Sequence, residues 1–304
     1  AVQWIANDKP ILIKYDQHYY FPIVKAYPET TFDGVFETQA DYKDPAVQQL
    51  INAKGWMIWP LIPYADQTPN LALDVPVPSA PSAQNWLGTD DQGRDVLARL
   101  LYGLRVSLLF GLGLTLLASL IGICVGAIQG YYGGWVDLIG QRIIEVWGGL
   151  PTLFMVMVLV SILIPNVYWL FVIMLLFGWS SLVGLVRAEF LRARHLDYVR
   201  AARALGVRDH MIMFRHILPN AMSSALSQIP FMLTANITAL TALDFLGYGL
   251  PPGSASIGEL LLQGKNNLDA PWLALSGFFT LALVLSLLIY IGEAARDAFD
   301  PRQH

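Results

Sequence analysis

The clearest feature of the sequence is where charge is missing. Between Arg105 and Asp137 there is no Asp, Glu, Lys or Arg, and the apolar block Val106 to Ile128 is 23 residues long. At about 1.5 Å per residue, a helix of that length crosses roughly 30 Å of hydrocarbon. A second charge-free run, Val146 to Val186, extends 41 residues, which is too long for one crossing. The turn dipeptide Pro165-Asn166 divides it, predicting spans at about 148–164 and 167–187. A fourth span is predicted over 219–245, and a fifth from Trp272 to Ile291, just before Glu293. Helices are the economical spanning form, because an unpaired backbone amide in lipid costs several kcal/mol and the alternating pattern of a membrane barrel is absent. The expected fold class is an all-α polytopic membrane protein with five spans.

Composition agrees: 55% of the 304 residues are hydrophobic and 14% charged, against roughly 25% charged in an average soluble chain. With 19 Lys+Arg against 23 Asp+Glu, no nucleic-acid partner is expected, and the single cysteine, Cys124, can form neither an internal disulfide nor a zinc site. The five histidines show no metal spacing.

Basic residues in short connections orient the spans. Seven arginines lie between Arg187 and Arg215, and the tail adds Arg296 and Arg302, so the loop 188–218 and the C-terminus are expected in the cytoplasm. Residues 1–95 then fall outside, as an extracytoplasmic segment ahead of a membrane core at 96–304. Arg94, Arg99 and Arg105 resist this orientation, although Asp90, Asp91 and Asp95 offset the first two. The first hundred residues hold 10 of the 18 prolines and five of the six lysines, and carry 7 bases against 12 acids, a net −5. Such punctuation reads as loops and short strands. Because the sequence opens on Ala1 and an exported segment needs a route across the membrane, a further N-terminal span is expected ahead of it.

The cytoplasmic segment from Arg187 to Asn220 is too long for a turn. Within it, 197–205 predicts a short helix, with Asp197 as N-cap, alanines inside, and Gly206 as a left-handed C-cap. Val199, Ala202 and Leu205/Gly206 share one face and Arg200 and Arg203 another, a shape suited to the groove of an acidic partner. The alternative is a solvated loop whose arginines only enforce topology.

The run Arg200-Ala201-Ala202, three residues, Gly206, nine residues, then His216-Ile217-Leu218-Pro219 resembles the cytoplasmic "EAA" loop of ABC-importer permease subunits. The spacing is kept, while Arg200 stands in place of the usual Glu and His216 in place of an Ile. Trp86 to Gly103, Leu243 to Pro251 and Gly258 to Asn267 resemble the dipeptide/oligopeptide branch, closest to its microcin C subgroup. The resemblance implies half of the pathway of an ATP-driven importer of peptides or peptide-like antibiotics, paired with a second permease subunit and fed by an extracytoplasmic peptide-binding protein. It implies that a cytoplasmic ABC ATPase docks on Arg200, Ala201, Ala202, Arg203, Leu205, Gly206, Leu218 and Pro219. The chain has no GxxxxGK[ST] motif, so it is not expected to be an enzyme, and ATP and Mg would be bound by that ATPase. Murein peptide and peptide-nucleotide substrates both remain open, as does the role of residues 1–84, which would meet the binding protein or cover the pathway.

Ala118, Gly122, Gly126 and Gly130 fall four apart in the first span, and Ser107, Gly111, Thr115 and Ser119 form a second row. Small residues at this spacing predict close helix packing in lipid, within the chain or against the second permease. Gln228, Asn236 and Thr238 in the fourth span are candidate pathway residues, against the alternative of hydrogen bonds between helices. Pro230 predicts a kink, Asp244 is expected near the outer end within reach of water, and Trp135 and Trp147 are expected as interfacial anchors in lipid. A rival class, an ion-coupled secondary transporter or channel, needs buried ionisable groups, and four of the five predicted spans have none.

Overall fold

The structure, a computed structural model, describes residues 2–71, 73, 75–163 and 166–299. Ala1, Pro165 and Arg302 lie outside the described residues. The N-terminal part forms three short strands, β1 (Leu12–Tyr15), β2 (His18–Tyr20) and β3 (Gly55–Ile58), with helix α1 (Pro45–Lys54) leading into β3. Helix α2 (Val96–Tyr132) is 37 residues long, extending the predicted first span by ten residues at its front and four at its back. Good helix formers such as Leu, Ala and Arg flank the apolar block, so the hydrogen-bonded ladder does not stop where the apolar stretch does.

The predicted second span is shorter than expected. α3 (Gly134–Gly148) and α4 (Thr152–Ile162) meet at 73°, and α4 has 11 residues, about 16 Å of helix. The break falls at Gly149-Leu150-Pro151, where proline lacks the amide that would continue the ladder. α5 (Val167–Gly178), a 3₁₀ turn at Trp179–Leu182 and α6 (Val183–Ala193) run on as a single 27-residue apolar stretch, beyond the predicted end at 187. Next come α7 (Asp197–Ala204), one turn of α8 (Asp209–Met211), a wide π-type turn (Ile212–Ile217) and α9 (Leu218–Leu226). α10 (Ile229–Phe245) bends 51° from the preceding helical run, so the predicted fourth span is broken at Ser227-Gln228, and Pro230 sits in the first turn of α10 where its missing amide costs nothing. α11 (Ile257–Asn266) and α12 (Pro271–Phe299) are the last elements among the described residues. Among the described residues, three helices are long and apolar enough to cross a bilayer, or five if each bent pair is one crossing.

The contacts divide the chain into two units. The first joins residues up to Val106 with Gly253–Thr280. Its sheet has the order β2-β1-β3, all antiparallel, with Lys14 opposite both Tyr19 and Trp56. Beside the sheet, Phe32 is fully buried with Tyr15, Tyr20, Tyr27 and Tyr42 edge-on at ring-centre distances of 5.4, 5.4, 6.5 and 6.0 Å. Edge-to-face pairs favour the ring quadrupoles, so few residues build this small core. Asp44 caps α1 by accepting from Ala46 N at 2.8 Å, with Pro45 at the first helical position.

The second unit joins Ser107–Pro252 with residues from Leu281. Here the two small-residue rows of α2 face two different helices. A Cβ placed on Gly122, Gly126 or Gly130 would lie 2.7, 2.7 and 2.6 Å from the backbone oxygens of Trp179, Val183 and Arg187, so that row is the seat of α6 and the turn before it. On the other row, Gly111 lies under Ile237 and Leu233, and Thr115 accepts a hydrogen bond from Asn236 Nδ2 at 2.9 Å, which seats α10. With no hydrophobic drive between helices in lipid, association depends on such close backbone approach. Trp147, expected as an interfacial anchor, donates to Leu176 O at 2.9 Å and stacks on Phe177, fastening the end of α3 to α5. Trp135 is 78% exposed.

Candidate functional site

The loop helix matches the predicted limits to within a residue, and its cap is as expected: Gly206 has φ +76°, Gly206 N donates to Arg203 O at 3.0 Å and Val207 N to Ala202 O at 3.1 Å. This pair of bonds is the Schellman ending, and the left-handed φ is what calls for glycine. The other end differs from expectation. Leu196 occupies the N-cap without a side-chain bond, and Asp197 is the first helical residue, where its charge still faces the positive end of the helix dipole.

The face that α7 presents also differs. Val199 and Ala202, read from the sequence as a ridge offered outward, are buried in the chain's own core with Phe190, Ile212, Met213 and Ile217. The hydrophobic effect acts first on the nearest apolar partner, which the π-type turn and α9 supply. Left outside are Arg200, Ala201, Arg203, Leu205 and Gly206, with Leu205 83% exposed. Pro219 is exposed and Leu218 half-buried against the same core. Arg203 lies over the ring of Tyr131, 5.3 Å from its centre, and the Tyr131 hydroxyl donates to Asp209. Arg187 grips Asp137 through two nitrogens. Through Arg203 and Tyr131 the loop helix is fixed to the last turn of α2, a link invisible in the sequence because 131 and 203 share no periodicity.

The three candidate pathway residues are dispersed. Gln228 is exposed at the break before α10. Thr238 is exposed and its hydroxyl donates to Thr234 O, four residues back, as helical threonines commonly do. Asn236 reaches across to Thr115 and also lines a hollow of about 390 Å³, walled by Val156, Met174, Phe177, Met232 and Ala239. Asp244, expected where water reaches it, is buried, and its Oδ1 accepts from Leu250 N at 2.6 Å, closing the turn after α10.

In the first unit lies a cluster that sequence reading only half recovered. Arg94 and Arg99 are fully withdrawn from solvent. Arg94 Nε bonds Asp90 Oδ2 at 2.7 Å, and the Arg99 guanidinium pairs with Glu259 and donates to Asp66 O and Ser254 O, both at 3.0 Å. Asp95 caps α2 by accepting from Ala98 N at 2.7 Å and takes a bond from Asn85 Nδ2 at 2.8 Å, yet burial pushes its carboxyl up from the ordinary value. Asp90, four residues before Arg94, was legible as a partner; Glu259, 160 residues from Arg99, was not. Arg94 and Arg99 are thus held by carboxylates of their own unit.

Residues 122–304 match the family described as the binding-protein-dependent transport system inner membrane component. The chain belongs to this family. It is 59% identical over 299 residues to the inner membrane ABC transporter permease protein YejE of Escherichia coli strain K12, covering 98% of this chain and 88% of that protein. It is 53% identical over 325 residues to the peptidoglycan transport system permease protein YejE of Agrobacterium fabrum, covering 99% and 85%. The dipeptide transport system permease protein DppC of Bacillus subtilis is 37% identical over 227 residues, covering 73% and 70%. An inward-facing structure of the MetNI methionine ABC transporter superposes with a TM-score of 0.56 over 67% of this chain and 97% of that one, at 14% identity, which shows a shared fold. The family expected from the loop motif is the family found, and its members are inner-membrane permease subunits rather than enzymes.

Proposed function

We propose that this chain forms half of the membrane pathway of an ATP-driven importer of peptides or peptide-like molecules, pairing with a second permease subunit and receiving substrate from an extracytoplasmic binding protein. The loop 188–218 and the C-terminus face the cytoplasm and residues 1–95 the periplasm. ATP and Mg are held by a cytoplasmic ABC ATPase that seats on α7. The observation that carries this reading is the division of α7: Val199 and Ala202 anchor it in the chain's own core, while Arg200, Ala201 and Leu205 stand free for a partner. A helix held so firmly moves as a rigid lever. Force applied to Leu205 passes through Ala202 to the π-type turn, which packs on α9, and through Arg203 and Tyr131 to α2, so that closure of the ATPase pair tilts the spans between two states that differ in contacts.

Leu205→Glu and Arg200→Glu test the docking, since both residues are exposed and neither change disturbs the core. The expected result is a subunit that inserts and unfolds at the wild-type temperature but no longer co-purifies with an ATPase and loses peptide uptake. Retained co-purification with undiminished uptake would remove α7 as the docking helix, and uptake driven by an ion gradient without ATP would replace the reading with secondary transport.

A further inference from the structure

The first unit contains a hollow of about 930 Å³ that the coupling and pathway residues leave unused. Its lining mixes both signs of charge with aromatic rings. Lys43 is half-buried with its Nζ 4.1 Å from the ring centre of Tyr64 and 5.0 Å from that of Trp59, and among the described residues it makes no ion pair. An ammonium held on two ring faces keeps its charge without spending its hydrogens on a carboxylate. Burial draws its pKa down from the ordinary lysine value, partly offset by the carboxylates of Asp8 and Asp41. Asp8, Asp41 and Asp44 line the same hollow, each with one oxygen engaged by a donor of the protein, Thr68 Oγ1, Lys43 N and Ala46 N respectively. Lys9 adds a second base to the lining. Tyr42, a further wall residue, is 2% exposed and its hydroxyl has no hydrogen-bond partner among the described residues.

A cavity of this size is in the range that takes small ligands, and fixed charges of both signs beside apolar rings select a molecule carrying both an amine and a carboxylate. We infer that this hollow is a binding site for a short zwitterionic peptide, whose carboxylate meets the Lys43 ammonium and whose amine meets Asp8 and Asp41. The site rests on the peptide-importer reading and adds to it a place where this subunit itself touches substrate outside the spans.

Trialanine, N-acetyl-trialanine and trialanine amide serve as probes, titrated against the full-length chain in lipid nanodiscs by calorimetry. Trialanine is expected to bind at least tenfold tighter than either blocked form. Lys43→Met is expected to weaken trialanine at least tenfold and to bind acid and amide alike, while Lys43→Arg stays within about threefold of the wild type. Asp8→Asn is expected to erase the difference between trialanine and its N-acetyl form. The proposal is overturned if no probe binds the wild type, if blocked and free forms bind equally, or if Lys43→Met binds as the wild type does. Uptake by the assembled transporter separates the two readings. A wild-type complex that takes up no peptide defeats the proposed function, whereas uptake with an unchanged KM in Lys43→Met defeats only this site.

Discussion

The two units are held together by opposite means. In the first, polar and aromatic side chains do the joining: four tyrosines pack edge-on around Phe32, and Arg99 gathers three chain segments through Asp66, Ser254 and Glu259. In the second, the joining is done by the near absence of side chains, with Gly122, Gly126 and Gly130 letting α6 and the turn before it lie directly on α2. The contrast is the one expected of two different solvents. In water a segment with few aliphatic residues needs large rings and satisfied charges to exclude it, whereas in lipid an apolar side chain gains nothing by turning inward and only close contact distinguishes the packed state.

Removing the centre of the first unit is expected to have the largest effect. Arg99→Ala removes one of the two guanidiniums that Asp90 and Glu259 share and leaves Arg94 alone against both carboxylates, which should cost about 3 kcal/mol, read as a lowered unfolding temperature of the purified subunit. If Arg99→Ala unfolds at the wild-type temperature, the ionic network is not what holds this unit. Next is Gly126→Val, whose side chain would strike Val183 O and Val186; a loss of about 2–3 kcal/mol is expected from overpacking. Gly184→Ala sharpens that test, because a Cβ there meets nothing within 4 Å and should leave stability unchanged or slightly raised. Equal effects at 126 and 184 would refute the glycine row as the seat of α6. Asn236→Ala removes one interhelical bond and should cost roughly 0.6 kcal/mol, measurable as a small shift in the same unfolding assay.

The smallest effect is expected from Asp33, an exposed carboxylate held below its ordinary range by hydrogen bonds from Lys54 and Tyr15. A lowered folded value means that the pair stabilises above the ordinary carboxylate range and loses its contribution as pH falls through the folded value. Asp33→Asn should therefore unfold slightly below the wild type at neutral pH, the gap narrowing as pH falls below the ordinary carboxylate value of about 3.9 and closing only below the lowered folded value. A difference that persisted in acid would assign the effect to packing rather than charge.

Long apolar stretches were legible because lipid leaves a chain little choice: α2, the run from α5 to α6, and α12 were all predicted, with only their ends misplaced. The Gly206 cap was legible because a left-handed residue after a short helix is a local requirement. The break between α3 and α4 was less so, since an apolar run carries the same hydropathy whether it is straight or bent, and only Pro151 hinted at it. The face of α7 was misread for a related reason. Helical spacing shows which residues share a side, but not whether that side meets the chain's own core or a partner.

By itself, then, the order of residues settled the class of solvent, the approximate spans, the small-residue rows and the loop motif, all of which depend on neighbours a few positions apart. Which helix each glycine row receives, that Val199 and Ala202 turn inward, that Tyr131 anchors Arg203 and that Glu259 answers Arg99 were decided only in three dimensions. Those contacts join residues from tens to more than a hundred positions apart, and a pairing over such distances is fixed by the packing of whole elements rather than by any local preference.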